Sequence, residues 1–228
     1  MRVSEIFRSI QGEGLRAGAV SVFLRLAGCN LRCRWCDTPY ALEAAPGEQM
    51  SLAQVLARVK AAGLGEVVVT GGEPLLQPQT PALLEALTRA GRQVTVETNA
   101  TRYVPLRCDL LSLSPKLANS TPRQGRWAPY AKSHDRTRLN LPAIQRFLDR
   151  HEYQLKFVVA DEHDVQEVER LLRRLRRVDR RRVLLMPQAR TRQQYRRLAP
   201  WVAQQCLEHG VRFGPRLQIE LWGWRPGR

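Results

Sequence analysis

The stretch Val20-Ser21-Val22-Phe23-Leu24-Arg25-Leu26-Ala27-Gly28-Cys29-Asn30-Leu31-Arg32-Cys33-Arg34-Trp35-Cys36-Asp37-Thr38 runs an apolar, β-branched segment straight into a loop with three thiols. Its first part, 20–26, predicts a strand. Further strands are expected at 66–70, 94–97, 110–113, 154–159 and 183–186, with a last one at 217–221. Between them lie helical-period segments at 51–62, 143–150, 162–176 and 191–209, and one that opens after Thr80 as cap with Pro81 at the first helical position. Ser51 and Gln54 have capping-box spacing. Short apolar runs alternating with helices are the pattern of βα units around a mostly parallel sheet. The 228 residues are few for eight such units, so the expected fold is α/β, a partial TIM-like barrel formed by 1–228 as one domain. Only 119–140 breaks the rhythm: it is polar, holds two prolines and has no period, and reads as a long loop or lid.

Hydrophobic residues make up 43% and charged residues 25%, ordinary globular usage, and no run nears the roughly 18 apolar residues of a membrane span. The amino terminus lacks a secretory profile, so a cytoplasmic location is expected, and the five cysteines are not read as disulfides. The net charge of +16 suggests nucleic acid. All but four of the 37 basic residues are arginines, however, many on the helix-like segments 170–182 and 190–197, and no aromatic ladder is interleaved with them. A solvated basic face explains them better, and no nucleic-acid substrate is expected.

The chemistry sits in the loops after strands. Cys29, Cys33 and Cys36 are close enough in sequence for one metal centre. Three thiolates on a four-iron cubane leave one iron without a protein ligand, whereas structural zinc wants four protein ligands. A zinc site completed by one of the four histidines is the alternative, but none lies near the run. Cys108 and Cys206 stand in apolar segments and read as small buried hydrophobes. After the next strand comes Thr70-Gly71-Gly72-Glu73-Pro74, where glycines permit close backbone approach and Glu73 offers an acceptor to an ammonium group.

Cys29-x3-Cys33-x2-Cys36 followed by Gly71-Gly72-Glu73-Pro74 resembles the radical S-adenosylmethionine (SAM) superfamily. The segments Phe7 to Gly14, Trp35-Cys36-Asp37-Thr38, Glu97-Thr98-Asn99, Ser114-Pro115-Lys116, Leu155-Lys156-Phe157 and Leu185-Met186-Pro187 resemble, in that order, the 7-carboxy-7-deazaguanine synthase family. The resemblance implies a [4Fe-4S] cluster, SAM and Mg²⁺, reductive cleavage of SAM to a deoxyadenosyl radical, and contraction of 6-carboxy-5,6,7,8-tetrahydropterin with loss of ammonia. It further implies an electron donor such as flavodoxin or ferredoxin, and a homodimer.

By the same resemblance, Cys29, Cys33 and Cys36 would hold the cluster and Thr38 the Mg²⁺. Trp35, Cys36 and Asp37 would line the adenine and methionine of SAM, Gly72 and Glu73 would meet its ammonium, and Ser114, Pro115 and Lys116 its ribose and carboxylate. Ile10, Gln11, Gly12, Glu13 and Thr70 would contact the pterin, with Glu13 the candidate acceptor for its guanidine-like edge and Arg25 gripping its carboxylate. A family histidine near the carboxyl end is expected to fall at Glu220, which would trade a donor for an acceptor. The rival enzyme is a glycyl-radical activase, against which Gln11-Gly12-Glu13-Gly14 and Cys36-Asp37-Thr38 speak. The rival from another class is a noncatalytic metal- or RNA-binding protein.

Overall fold

A computed structural model describes residues 1–223, 225 and 227. The strands form one sheet in the order β3-β1-β2-β4-β5-β6-β7-β8-β9. β1 (Arg2–Ile10) pairs antiparallel with β2 (Val20–Leu26) and with the two-residue edge strand β3 (Glu48–Gln49). From β2 onward every pairing is parallel, through β4 (Glu66–Gly71), β5 (Gln93–Thr98), β6 (Leu110–Leu113), β7 (Tyr153–Val159), β8 (Val183–Pro187) and β9 (Arg212–Phe213). The first and last strands of the order do not pair, so the barrel is partial, as expected.

Strand alternation sorts the side chains. Val22, Leu24 and Leu26 of β2, Val67 and Val69 of β4, Val94 and Val96 of β5, and Leu155, Phe157 and Val159 of β7 enter the main apolar core. Against them pack α1 (Leu52–Ala61) through Val55 and Val59, α2 (Thr80–Arg89) through Leu83, Leu84 and Leu87, and α4 (Leu141–Leu148) through Ile144 and Phe147. α5 (Glu162–Arg173) adds Val165, Val168, Leu171 and Leu172, and α6 (Arg192–His209) adds Val202 and Cys206. These positions recur every three or four residues, the apolar stripe of a surface helix. The other strand face carries Arg25, Thr70, Glu97 and Lys156 into a cleft.

The Ser51–Gln54 capping box is present, with Ser51 Oγ accepting from Gln54 N at 3.2 Å and Gln54 Oε1 accepting from Ser51 N at 2.7 Å. Three expectations need correction. Thr80 is not a cap: it lies inside α2 after Gln79, and its hydroxyl donates to the Pro74 carbonyl at 2.6 Å. The segment 217–221 is not a strand but α7 (Leu217–Trp222), in which Ile219 is buried and Leu221 exposed. Alternating Leu217, Ile219 and Leu221 imitated a strand, yet the preceding strand β9 already ends the sheet. Residues 119–140 are not a structureless loop: they hold short 3₁₀ turns and α3 (Ala131–Thr137). They lacked a period because polar anchors fix them; Ser120, Thr121 and His134 are all at most 2% exposed.

Candidate active site

The loops that follow β2, β4, β5 and β6 converge, and with the inner strand face they enclose a cleft of about 230 Å³. One wall is the thiol loop: Cys29, Cys33, Trp35, Cys36, Asp37 and Thr38 all line it. Burial pushes the Cys29 and Cys36 thiols up to about 12, reinforced at Cys36 by Asp37, and raises Cys33 as well. Such thiols become thiolates only when a cation replaces the lost solvation. Cys206 is buried in the core and Cys108 packs against it ahead of β6, so neither lines the cleft. Among the described residues no three His, Cys, Asp or Glu side chains converge on a single ion. The loop instead presents three sulfurs along one wall, a donor set that suits a cluster with one iron left open.

The glycines after β4 act by close packing. A Cβ on Gly72 would lie 2.3 Å from the Gly28 carbonyl oxygen, and Gly71 has φ +144 with the Leu26 carbonyl oxygen 2.1 Å from where its Cβ would stand. Gly72 therefore lets the β4 loop lie on the thiol loop, and Gly71 lets the end of β4 lie against the end of β2. Glu73 sits beneath them, 1% exposed, with its carboxylate accepting from Thr98 Oγ1 (2.7 Å), Asn99 N (2.7 Å) and Leu75 N (3.0 Å). It knits β4 to β5 and does not line the cleft, whereas Gly72 does. Lys116 Nζ donates to Ser114 Oγ at 2.7 Å and lies 5.5 Å from the Trp35 ring centre; Pro115 is buried behind them.

The facing wall is a charged lattice. Lys156 Nζ, on a side chain only 4% exposed, donates to Glu13 Oε2 at 2.9 Å and Glu97 Oε1 at 3.0 Å. Glu97 also accepts from Thr70 Oγ1 at 2.8 Å and Gln11 Nε2 at 3.4 Å. Glu13 Oε1 accepts from Gln218 Nε2 at 2.9 Å and Arg216 Nε at 3.3 Å. Arg216 Nη1 donates to the Ala189 carbonyl at 2.6 Å, and Nη2 pairs with Asp37, tying the two walls together. Burial works against ionisation of Glu13, but Lys156 and Arg216 outweigh it and hold the carboxyl down at about 2. The same carboxylates keep Lys156 protonated against its burial. Ile10, Gln11 and Gly12 line this wall, and Gly12 is backed by Gln218. Arg25 lines the cleft with its Nε donating to Glu5 Oε1 at 2.7 Å, an oxygen that also accepts from Tyr40 OH at 2.8 Å.

Glu97, Lys156, Arg216 and Gln218 are members of this lattice that residue-by-residue reading assigned no role. Their signal was polarity out of place, a lysine in Tyr153–Val159 and a glutamate in Gln93–Thr98. At the carboxyl end Arg216, Gln218 and Ile219 line the cleft. Glu220 points away and pairs with Arg196 at 2.6 Å, so the exchange of donor for acceptor expected there has no bearing on the cleft. Gly223, Arg225 and Gly227 also line the cleft; Trp224, Pro226 and Arg228 of the tail lie outside the described residues.

The radical SAM superfamily model matches residues 24–187. The chain is 39% identical to 7-carboxy-7-deazaguanine synthase of Halobacterium salinarum, over 98% of this chain and 91% of that protein. It is 39% identical to the synthase of Rhodopirellula baltica, over 99% and 88% of the two chains. The chain belongs to the 7-carboxy-7-deazaguanine synthase family. The fold agrees: QueE from Escherichia coli superposes with a TM-score of 0.70 at 24% identity, covering 93% of this chain and 92% of that one. Membership of the synthase family makes the chain a radical SAM enzyme, with the [4Fe-4S] cluster and SAM that the superfamily uses. The thiol wall fits that cofactor pair by donor type: three sulfurs, of Cys33 buried and of Cys29 and Cys36 half-buried, and no other cysteine in the lining.

Proposed function

We propose that this chain contracts 6-carboxy-5,6,7,8-tetrahydropterin to 7-carboxy-7-deazaguanine with loss of ammonia, a step toward queuosine and other 7-deazapurines. The observation that carries the reading is one cleft with two unlike walls, three thiols on one side and the Glu13–Lys156–Glu97 salt-bridge lattice on the other. Cys29, Cys33 and Cys36 would hold the cluster, which would supply the electron for reductive cleavage of SAM. Trp35, Gly72, Ser114 and Lys116 bind the SAM side of the cleft, and buried Glu73 keeps the glycine turn in place for it.

Glu13 and Glu97 present acceptors to the guanidine-like edge of the pterin, and Arg25, aimed by Glu5, pairs with its carboxylate. Thr38, whose hydroxyl donates to Asp37 at 3.0 Å, would be the protein ligand for Mg²⁺, a cation that dehydrates reluctantly and needs few protein ligands. The chain works as one domain, as a homodimer in the cytoplasm, reduced by a flavodoxin or ferredoxin.

The test is anaerobic reconstitution with iron and sulfide, followed by SAM, Mg²⁺, dithionite and the carboxypterin. Iron–sulfur absorbance and formation of the deazaguanine are expected. SAM cleavage with the pterin left intact sinks the substrate; uptake of zinc alone sinks the enzyme.

A further inference from the structure

The segment that packs on the outer side of the thiol loop has no part in the reading above. His134 stands at its centre on α3, 1% exposed. Its Nδ1 lies 3.2 Å from the backbone N of Arg32, and its Nε2 lies 2.9 Å from Ser120 Oγ. A backbone N–H can only donate, so Nδ1 is the acceptor, and in a neutral ring Nε2 carries the proton and donates to Ser120. Burial pushes His134 down to about 4 against the pull of Asp135, with Arg138 and Lys116 adding to the fall, so the ring is neutral as this tautomer requires.

The chain of bonds has an address at each end. Ser120 Oγ donates to the Leu117 carbonyl at 2.6 Å, and Leu117 directly follows Lys116. Arg32 precedes Cys33, while Arg34, on its other side, donates its backbone N–H to the Ser120 carbonyl at 2.9 Å. The Arg32 guanidinium lies 5.0 Å from the Trp127 ring centre and 5.3 Å from that of Tyr130, and its Nη1 donates to the Cys29 carbonyl at 2.7 Å. The imidazole and the Ser120 hydroxyl together thus link the thiol loop to the Leu117 carbonyl, next to the turn bearing Ser114 and Lys116.

We propose that His134 is a positioning residue that fixes the distance between the thiol loop and the Ser114–Lys116 turn, and so sets the affinity for the sulfonium cofactor between them. The proposal rests on the SAM site assigned under the proposed function. A buried hydrogen-bonded pair that merely stabilised 119–140 would cost melting temperature and leave cofactor affinity alone.

The experiment uses the reconstituted full chain and the variants His134→Ala, His134→Asn and Ser120→Ala. Iron and sulfide content, melting temperature, the dissociation constant for SAM by anaerobic dialysis and the reduced-cluster electron paramagnetic resonance signal with and without SAM are measured. His134→Ala is expected to keep its iron, bind SAM about tenfold more weakly, as the loss of one buried hydrogen bond gives, and lose part of the SAM-induced spectral change. The KM for the pterin should stay at the wild-type value. The Asn variant, whose side-chain oxygen can accept from Arg32, should recover most of the SAM affinity. Ser120→Ala, the fallback if the alanine variant does not fold, should weaken SAM binding by a smaller factor.

Wild-type SAM affinity in the histidine or serine variant, equal losses for SAM and pterin, or no recovery by Asn would each overturn the proposal. A wild-type cluster whose signal ignores SAM would overturn the functional reading, and the proposal with it. An intact wild-type response with an unchanged His134→Ala variant removes the proposal alone.

Discussion

Replacing Lys156 with methionine keeps the aliphatic stem and removes a cation shared by Glu13 and Glu97. Breaking a buried pair by deleting one partner costs about 3 kcal/mol or more, and the cost here sits at the low end because Arg216 and Gln218 still serve Glu13. For a chain of this size that lowers Tm by about 6–12 °C. The pH dependence carries the sharper signature. Glu13 is held at about 2 against an ordinary 4.5, which at ~1.4 kcal/mol per tenfold is worth about 3 kcal/mol. Its folded value is depressed, so that stability is present above about pH 4.5 and is lost as pH falls toward 2. The raised Lys156 contributes fully below its usual 10.5 and adds no slope between about pH 3 and 7. Without Lys156, burial is opposed mainly by Arg216, Glu13 titrates higher, and the acid limb of a Tm-versus-pH curve moves toward neutrality. Adding Glu97→Gln to the variant should recover part of the lost Tm, since it removes the carboxylate that Lys156 had paired while Thr70 and Gln11 can still donate to the amide oxygen. A Lys156→Met protein whose Tm and acid limb match the wild type, or a double variant no more stable than the single one, would refute the electrostatic account of this wall.

Cys33→Ala should retain less than a cluster's worth of iron after reconstitution, read by iron and sulfide assay, and turn over no SAM. Thr38→Ala should leave the cluster intact while raising the Mg²⁺ needed for half-maximal turnover about tenfold, the loss of one ligand bond; an unchanged Mg²⁺ titration would remove that assignment. Gly72→Ala forces a Cβ to 2.3 Å from one backbone carbonyl oxygen and 2.7 Å from another, so about 3 kcal/mol of stability should go, visible as a fall in Tm or soluble yield. Ser51→Ala, at the exposed N-cap of α1 and outside the cleft lining, should cost about 1 kcal/mol and 2–4 °C with activity unchanged.

The parallel core was legible because buried strands such as 183–186 are continuous apolar runs and the intervening helices repeat every three or four residues. The loops that meet in the cleft were legible for a topological reason: all follow the carboxyl ends of neighbouring parallel strands. Partner choice was not. Glu73 looked like a ligand for an ammonium group, but a carboxylate ringed by Thr98, Asn99 and Leu75 is visible only once β4 and β5 are side by side. The lattice of Glu97, Lys156, Arg216 and Gln218 joins segments distant in sequence, and no local spacing rule connects Lys156 with Glu13. The segment around His134 was opaque for a related reason, since its hold comes from single polar bonds to another loop, and these leave no periodic trace.

The two walls of the cleft differ in how far apart along the chain their parts are made. The sulfur-bearing wall is local, drawn from one short loop beside β2. The wall facing it needs Glu13 to find Gln218, a separation of 205 residues, with eight strands between them along the chain. Contacts of such long range form late, because loop closure must be offset by structure already in place. With the proposed roles of the two walls, iron loading should be open to a chain whose substrate wall is still unassembled, whereas pterin recognition should have to wait for the complete sheet. A ribosome-bound or heat-loosened form should be able to accept metal before it can discriminate between substrates.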